Sequence, residues 1–405
     1  MPMAVITSLF RLICICMNVV LLLSLAEPKT TEICKAEQAQ GFTIFYGQEY
    51  KYKIVENFFS NTGYILLEEI PSRNNTHCTA KLKSFTAPFA NYSVDNTKVP
   101  VSFLELLGVL DNLKGVTSEC TSSACLMKYI AAGDVQQIHQ EDPEQILQFS
   151  AFLTSSSVAK QKCNYINVDP FKELKPLQRA EWIKFVAALM DYEGRANTIF
   201  KMVEENYLCL SALAMNASTK PTVAWMAFDK DTWSFSNTTY KLQYVLDAGG
   251  SNLDDSVYIN TFNMSSPSDV ESFHCILSGL DIAIDESYAA VPSNYTLSTF
   301  IENALVSEND NFSFVANQNV WRYDKQIGSS CTISNDWFDG AVSQPQIVLG
   351  DLIQALHPQT NYTTIFLRNI AKGDEIMPAS SDKCTHNISS PLEPTLVPCN
   401  GLLIG

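Results

Sequence analysis

The segment NVWRYD places an arginine between two aromatic residues at the end of an apolar run. An Arg guanidinium pairs with anionic oxygens through parallel hydrogen bonds, and aromatic rings pack against the flanks of a bulky ligand. Trp321, Arg322 and Tyr323 are therefore predicted to contact a bulky, partly anionic small molecule. The alternative is structural: Trp321 belongs to the core, and Arg322 pairs with Asp324 or Asp229.

Further candidate binding residues follow from the predicted ends of strands. In open α/β sheets, ligands bind in the crevice outside the carboxyl ends of the strands. This rule, with two tryptophans on the adjoining loops, selects Tyr92, Ser93, Phe228, Asp229, Asp285, Glu286, Trp233 and Trp337. The alternative for Trp225 and Phe228 is that they are core residues of their strand.

Metal and enzyme chemistry find little support in the sequence. The histidines are His77, His139, His274, His357 and His386. None lies at a predicted strand end, which disfavours a site for bare zinc or manganese, although Asp229 and Glu286 could bind a harder ion. No G-x-S-x-G, H-E-x-x-H or G-x-x-x-x-G-K-[ST] motif is present, and the acidic pairs lack a glycosidase context. We predict a protein that is not an enzyme.

A mixed α/β framework is predicted to position these residues. The segments TIFY, KYKIVENF and YILLEE favour strands, with a turn at 61–63. Further along the chain, strands alternate with helices, which argues for parallel sheets. Later strands or apolar runs are predicted up to residue 86 and over 146–153, 165–168, 221–229, 281–287, 319–324 and 364–370. Helices are predicted over 101–110, 123–133, 240–248, 269–280 and 297–306, with two more within 175–214. The segment 337–358 is predicted as a loop, a short apolar run over 347–349 and a helical stretch.

Length and charge are typical of a globular protein of two domains of roughly 150–200 residues. The net charge of -16, without a basic stripe, argues against nucleic acid as a partner. Arg11 precedes an apolar run over 12–25, which predicts a signal peptide at 1–26 and an extracellular or cell-surface location. An uncleaved anchor is the alternative, but the run is short for spanning a bilayer.

Sequons and cysteines agree with secretion. N-glycosylation is predicted at Asn74, Asn91, Asn216, Asn237, Asn263, Asn294, Asn311, Asn361 and Asn387. Structural disulfides are predicted for Cys34, Cys78, Cys120, Cys125, Cys163, Cys209, Cys275, Cys331, Cys384 and Cys399. Five of these lie in each half of the chain, so full pairing requires a bond between the halves, and Cys384 or Cys399 is expected to provide it. Cys120 and Cys125 are close enough to close a small loop.

Several motifs occur in a consistent order along the chain. SVD is followed by VPVSFLELLGVLD; DIAIDE and NVWRYD come later; and a Trp-containing loop leads into QPQIVLGDLI and HP. Their order resembles the TroA-like, helical-backbone (class III) periplasmic substrate-binding proteins, here as a eukaryotic secreted member. The resemblance implies a first ligand-facing loop with Phe89, Tyr92 and Ser93, opposite Arg322 and Tyr323. A surface loop with a glycan on Asn91 is the alternative.

The resemblance implies two α/β lobes with mainly parallel sheets flanked by helices and joined by a long helix. The predicted division is a signal peptide at 1–26, an N-terminal lobe at 27–174, a linking helical segment at 175–214, a C-terminal lobe at 215–380 and a Pro-rich, disulfide-stapled tail at 381–405.

The implied function is binding of a small ligand, such as a ferric siderophore or a cobalamin-like metal chelate, in the cleft between the lobes. The resemblance further implies a monomer without an intrinsic cofactor, in which any metal is part of the bound chelate, and delivery to a membrane receptor. The alternative is a secreted enzyme or cell-wall-associated glycoprotein that reuses the fold, because function does not follow from fold.

Overall fold

The secondary structure follows the predicted alternation of strands and helices. The computed structural model describes residues 33–47, 51–68, 78–307, 312–328, 334–358, 362–385 and 387–399. The strands are β1 Phe42–Tyr46, β2 Tyr52–Asn57, β3 Thr62–Leu67, β4 Leu82–Thr86, β5 Tyr92–Val94, β6 Leu113–Val116, β7 Gln136–Gln137, β8 Ala151–Thr154, β9 Tyr165–Asn167, β10 Val223–Asp229, β11 Thr232–Phe235, β12 Thr261–Asn263, β13 Ile282–Asp285, β14 Val320–Arg322, β15 Gln326–Gly328, β16 Arg368–Asn369 and β17 Met377–Ala379.

Helices separate most of these strands. They are α1 Ser102–Leu107, α2 Ala124–Ala132, α3 Pro143–Leu147, α4 Pro176–Ala180, α5 Trp182–Met190, α6 Glu193–Ala214, α7 Thr239–Asp247, α8 Pro267–Leu277, α9 Leu297–Ala304, α10 Ser313–Ala316, α11 Gly340–Ser343 and α12 Pro345–Leu356. Short 3-10 helices occur at Leu110–Asn112, Ser157–Gln161, Pro170–Lys172, Pro292–Asn294, Asp336–Phe338 and Ser381–Lys383.

The first four strands form a sheet in chain order. β1, β2 and β3 are antiparallel, and β4 joins β3 in parallel. Because side chains alternate across a strand, one face buries Phe42, Val55 and Tyr64 against the core. The turn before β3 uses Asn61 at φ 51°, a left-handed conformation that Asn tolerates. The strands predicted between residues 43 and 69 are confirmed.

The N-terminal half also contains a fully parallel five-stranded sheet. Its order is β7-β6-β5-β8-β9. Parallel neighbours end at the same edge, so the segments after β5 and β6 lie side by side. α2 follows this edge: Ser123 accepts a hydrogen bond from the amide of Leu126 as its N-cap, and Gly133 ends the helix at φ 80°.

A six-stranded sheet occupies the C-terminal half, in the order β12-β11-β10-β13-β14-β16. β10, β13 and β14 are parallel, whereas the hairpin strands β11 and β12 and the edge strand β16 run antiparallel. Its central strands are buried on both faces, as continuous apolar runs predict. Trp225 belongs to the larger core, and its neighbour Met226 belongs to a second core with Phe273 of α8 and Phe300 of α9.

The two halves are connected by consecutive helices. Pro176 lies in the first turn of α4, where its missing N–H costs nothing, and every residue of α5 is buried. The 22-residue α6 contacts α1 and α5 from the N-terminal half and α7 and α12 from the C-terminal half. The predicted fold class is confirmed: α/β with mainly parallel sheets in two lobes joined by a long helix. The exact domain boundaries stay a prediction.

Helix α12 is longer than the sequence predicts. The predicted apolar run at 347–349 and the helical stretch after it form one helix that begins at Pro345 and passes through Gly350. A glycine is retained inside the helix because the C-terminal segment of the chain approaches it closely. A Cβ on Gly350 would lie 3.1 Å from the side chain of Val397. The apolar run and the helical stretch after it are therefore parts of one buried helix.

The strand predicted over 364–370 is mostly absent. Only Arg368–Asn369 pairs as β16. The preceding amides are bound by a side chain instead: the Asp351 carboxylate accepts from Ile365 at 2.9 Å, Phe366 at 2.6 Å and Leu367 at 2.8 Å. Since those N–H groups point at one carboxylate, they cannot form a β ladder.

Three disulfides join described cysteines: Cys78–Cys163, Cys125–Cys384 and Cys209–Cys399. The second confirms that a cysteine of the tail returns to the first half of the chain, and it excludes a Cys120–Cys125 loop. Cys120 is also disulfide-bonded, and its partner is not among the described residues. Cys331, the remaining predicted disulfide cysteine, lies outside the described residues. The disulfides indicate an oxidising compartment.

Two of the predicted disulfide cysteines are free, so that part of the prediction is wrong. The Cys34 thiol is buried and donates to the carbonyl of Glu193 at 3.4 Å and to Oδ1 of Asn197 at 3.1 Å. Burial raises the pKa of Cys34 to about 12, so that it behaves as a core residue. Cys275 lies on the exposed side of α8.

Described sequons are all on the surface. The exposed asparagines are Asn91, Asn216, Asn237, Asn263, Asn294 and Asn387. Asn74, Asn311, Asn361 and the predicted signal peptide lie outside the described residues. Within the described part of the chain, no helix has the length and apolar character needed to cross a bilayer.

Candidate ligand-binding cavity

The guanidinium nitrogens of Arg322 already donate hydrogen bonds to other groups of the protein. It is 4% exposed at the end of β14, where Nε donates to Asp324 at 2.8 Å and Nη1 to Asp285 at 3.0 Å. Nη2 donates to the carbonyl of Ser287 at 2.8 Å, and the guanidinium lies 3.9 Å from the ring centroid of Tyr295. The structural alternative, pairing with Asp324, is the one present. This corrects the expectation of an arginine left free at the strand end.

Most of the predicted aromatic contacts lie in the core. Phe89, Tyr92, Trp233, Trp321 and Trp337 are buried. The Tyr92 hydroxyl donates to a backbone carbonyl at 2.8 Å, and the Trp233 indole N–H donates to another at 2.9 Å. The position of Trp321 therefore agrees with the alternative that it is a core residue. Packing in the core accounts for the positions of most of these aromatic residues without a ligand.

The loop that follows β5 begins later in the sequence than the ligand-facing loop predicted around Phe89, Tyr92 and Ser93. Tyr92 and Ser93 belong to β5, and Phe89 precedes the amino end of that strand. β4, which the sequence suggested as the strand leading into this loop, pairs with β3 in a different sheet. The segment at the carboxyl end of β5, the end that parallel sheets use for ligands, begins at Asp95.

Asp229, Glu286 and Tyr323 occupy different surroundings. Asp229 is exposed on the β10–β11 turn, whereas Glu286 is buried in an ion pair with Lys241, and burial raises its pKa. The ring of Tyr323 lies 6.0 Å from that of Phe338. Within the described residues, no group of three or more His, Cys, Asp or Glu side chains is arranged to hold a metal ion.

A cavity of about 230 Å³ lies where the carboxyl ends of β5 and β6 meet the segment before α11. Its lining consists of Asn96, Thr97, Ser118, Cys120, Thr121, Ser122, Ser334, Asn335, Phe338 and Asp339. Hydroxyl and amide groups predominate, with one aromatic ring and one carboxyl group. This set of described residues contains no Lys, Arg or His.

Hydrogen bonds fix the wall that comes from the N-terminal half. Asp95, fully buried, accepts from the hydroxyls of Thr97 at 2.6 Å and Thr117 at 2.9 Å. The Asn96 side chain donates to the carbonyl of Ser118 at 2.8 Å and accepts from its amide at 2.9 Å. These bonds tie the loop after β5 to the loop after β6, so the polar groups on this wall are held in place before a ligand arrives.

The opposite wall comes from the C-terminal half. Asn335 caps the 3-10 helix by accepting from the amide of Trp337 at 2.9 Å. Gly328 allows β15 to approach the first wall, because a Cβ there would lie 2.3 Å from the Thr121 carbonyl oxygen. Ser122 Oγ donates to Asp336 at 2.7 Å across the cavity rim. The two walls are thus bonded to each other.

One carboxyl group lines the cavity, that of Asp339, and two others lie close to it. Burial, together with the smaller effect of the nearby Asp336, raises the pKa of Asp339 to about 7. Burial also raises the pKa of Asp336 itself. Glu105 has its pKa raised by burial to about 8, although it accepts a 2.6 Å hydrogen bond from Ser123 that lowers it. The cavity therefore presents a neutral to mildly acidic surface near pH 7.

A second, much smaller cavity of about 40 Å³ lies near the first. It is bordered by Arg179, Tyr240, Trp337 and Phe338, and the Arg179 guanidinium already lies 3.5 Å from the ring centroid of Tyr240. Its arginine faces an aromatic ring of the protein itself, and its volume is far below that of a typical ligand pocket.

The cavity-lining residues were missed by the sequence prediction. Applying the strand-end rule to β6 would have selected Ser118, Thr121 and Ser122, but LKGV is too short and too polar to be recognised as a strand. The sequence indicated Ser334 and Asn335 only indirectly. They belong to a polar segment that precedes the helical stretch predicted within 337–358. Trp337 was selected, and its neighbour Phe338 lines the cavity.

Comparisons with known proteins identify the fold. No protein-family model and no curated protein matches the sequence. A solved periplasmic binding protein from Veillonella parvula matches with a TM-score of 0.50 at 11% identity, covering 79% of this chain and 99% of that one. The fold is that of a two-lobed periplasmic binding protein.

Other solved structures are similar at lower scores. A substrate-binding protein of an ABC transporter from Listeria monocytogenes has a TM-score of 0.47 at 14% identity, covering 67% of this chain and 100% of that one. The petrobactin-binding protein YclQ from Bacillus subtilis has 0.46 at 12%, covering 71% and 96%. At such identities, the likeness concerns the fold alone.

Proposed function

We propose that the protein binds a small polar ligand between its two halves and is not an enzyme. The observation that carries this proposal is the cavity of about 230 Å³ at the carboxyl ends of two parallel strands. That is the edge where α/β sheets bind ligands, and hydroxyl and amide groups converge there from both halves.

The lining favours a neutral or cationic ligand rather than an anionic one. An anion would need a basic partner, and the described lining offers none. A ferric siderophore or cobalamin-like chelate, the ligand implied by the resemblance, is bulky, while this cavity is below the usual range of about 300–1,000 Å³. Arg322, the arginine proposed for such a chelate, is already paired. A small polyol, amide or amine fits the chemistry better.

The proposal includes the cellular setting. We place the protein outside the cytoplasm as a monomer, with its signal peptide removed, glycans on surface sequons and delivery of the ligand to a membrane receptor. Disulfides and exposed sequon asparagines support this setting.

Binding is tested by calorimetry and by the fluorescence of Trp337, which adjoins the cavity-lining Phe338. The panel of test compounds contains small polyols, amides and amines. It also contains ferric siderophores, cobalamin and haem, which form its bulky arm. Ser334→Phe fills the cavity from a half-buried lining position, and Ser298→Phe adds the same group at an exposed position of α9.

We expect a small polar compound to bind the wild type and Ser298→Phe equally, and Ser334→Phe to lose at least tenfold in affinity. Binding that survives Ser334→Phe would place the site elsewhere, and binding of the bulky arm alone would favour the chelate. Conversion of a bound compound into a product would favour the enzyme alternative.

A further inference from the structure

The C-terminal segment 384–399, called the strap below, crosses from one half of the protein to the other. Cys384 joins it to Cys125 in α2, and Cys399 joins it to Cys209 in α6. Between these bonds the strap has no regular helix or strand among its described residues. Its position is set by side chains that meet it along its whole length.

The first part of the strap is bound to α1 and its surroundings. The Leu392 amide donates to the carbonyl of Glu105 at 3.0 Å, and Ser389 Oγ donates to Asp111 at 3.1 Å. Gly108, at the end of α1, has no room for a side chain because the strap passes over it. A Cβ on Gly108 would lie 2.9 Å from the nitrogen of Pro391.

The second part is bound to α12 and α6. The Thr395 amide donates to Gln344 at 2.7 Å, and Gln346 Nε2 donates to the Thr395 carbonyl at 2.8 Å. Asn206 of α6 exchanges two hydrogen bonds of 2.8 Å with the backbone of Val397. The Val397 side chain is 2% exposed and belongs to the main core.

Arg195 of α6 links the two parts. Its Nε donates to the carbonyl of Leu106 at 3.1 Å and its Nη2 to the carbonyl of Leu392 at 2.6 Å, so it holds α1 and the strap together. Its Nη1 lies 3.0 Å from the exposed Glu393 carboxylate. A strap bonded to α1, α2, α6 and α12 connects elements of both halves.

The same N-terminal elements carry the wall of the cavity. Ser102, at the start of α1, donates its amide to Asp339 at 2.7 Å, and Ser122, just before α2, donates to Asp336 at 2.7 Å. A displacement of α1 or α2 relative to the segment 336–339, which leads through α11 into α12, would break these bonds. The strap therefore limits how far the cavity walls can separate.

We propose that the strap is a covalent clamp that holds α1 and α2 against α12, and that reduction of Cys125–Cys384 releases it. In the reduction, a dithiol donates two electrons and two protons, the S–S bond becomes two thiols, and the dithiol becomes a disulfide. The closed loop spans 259 residues, so its opening frees the start of the strap, while Cys209–Cys399 still holds the end of the strap. This inference concerns the contact between the halves and does not require the proposed ligand.

Hydrogen–deuterium exchange of the whole protein tests the clamp. The double variant Cys125→Ala/Cys384→Ala removes the bond, and Cys78→Ala/Cys163→Ala is the matched control, since it removes a disulfide within the N-terminal half. We expect at least tenfold faster exchange in α1, in α12 and over 387–397 in the first variant. In the control, we expect faster exchange only near residues 78–83 and 157–165.

Two further measurements keep the test independent of variant folding. Wild-type protein treated with dithiothreitol, which also reduces the other disulfides, should show at least the faster exchange in α1, in α12 and over 387–397 that the double variant shows. Asn206→Ala, which keeps both disulfides, should speed exchange around 395–399 while leaving α1 unchanged. Unchanged protection of both α1 and α12 after loss of Cys125–Cys384 would overturn the clamp, and so would an equal increase in the control.

Discussion

Asp339 Oδ1 accepts a 2.7 Å hydrogen bond from the backbone amide of Ser102, 237 residues away in the sequence. The Ser102 hydroxyl in turn donates to the carbonyl of Asp339 at 3.0 Å. This reciprocal pair joins the start of α1 to the start of α11 and closes the inner wall of the cavity. Because the carboxyl is enclosed, its charge state affects the stability of the contact between the halves.

The first prediction concerns the pH dependence of that contact. The folded-state pKa of Asp339, about 7, lies above the unfolded value of about 3.9. A raised acid pKa contributes stability at low pH that is lost as the pH rises from about 4 to about 7. Asp339→Asn keeps an oxygen that accepts the hydrogen bond from Ser102, but its side chain cannot ionise. The variant therefore does not lose this stability as the pH rises. We expect the variant to gain at least ~1 kcal/mol relative to wild type between pH 4 and pH 8.

Chemical denaturation at several pH values measures this difference. Asp229→Asn, at an exposed turn, is the control, and its stability relative to wild type should stay constant within about 0.5 kcal/mol. A difference for Asp339→Asn that does not change with pH would contradict the raised pKa.

The second prediction concerns Arg322. Removing one partner of a buried pair typically costs about 3–5 kcal/mol, because the remaining charges are left without a counter-ion. Arg322→Ala exposes this cost at Asp285, whereas Asp324 keeps its ion pair with Arg368. We therefore expect a loss of about 3 kcal/mol and an unchanged affinity for any cavity ligand. Melting temperature and affinity are measured together, with Lys230→Ala as an exposed control. A loss of affinity without a loss of stability would restore Arg322 to the site.

The fold could be predicted because it is encoded by long, continuous patterns. VAWMAFD and DIAIDE are apolar strands that parallel pairing buries on both faces, and the α6 pattern extends over 22 residues. Errors arose where a non-local contact overrides the local pattern. The amides of 365–367 bond to Asp351, and Gly350 is inside a helix because the strap packs beside it. Neither contact can be read from the neighbouring sequence.

The candidate site was harder to predict than the fold. Arg322 has the chemistry of a ligand-binding residue, but its role depends on Asp285, which is brought to it only by the pairing of β13 with β14. The polar residues that line the cavity are common in any loop. They become distinctive only when the adjacent ends of β5 and β6 bring Asn96 and Ser118 together.

The third prediction concerns Asp351. Its buried carboxylate accepts three backbone amides, and replacing it with Ala would leave those N–H groups unpaired at about 1–3 kcal/mol each. We expect Asp351→Ala to lower the free energy of unfolding by about 3 kcal/mol or more. Asp351→Asn, which keeps one acceptor oxygen, should lose less. Equal losses for both variants in urea denaturation would show that the amides find other partners.

The fourth prediction concerns the two free thiols. Cys275 is exposed, whereas Cys34 is buried, with its pKa raised to about 12, so very little thiolate forms there at neutral pH. In the folded protein, iodoacetamide should modify Cys275 at least a hundredfold faster than Cys34, as measured by peptide mass mapping over time. In guanidinium chloride the two rates should converge, because the difference arises from burial. Similar rates in the folded protein would show that the Cys34 environment opens readily, and fast labelling of Cys34 alone would contradict its position between Glu193 and Asn197.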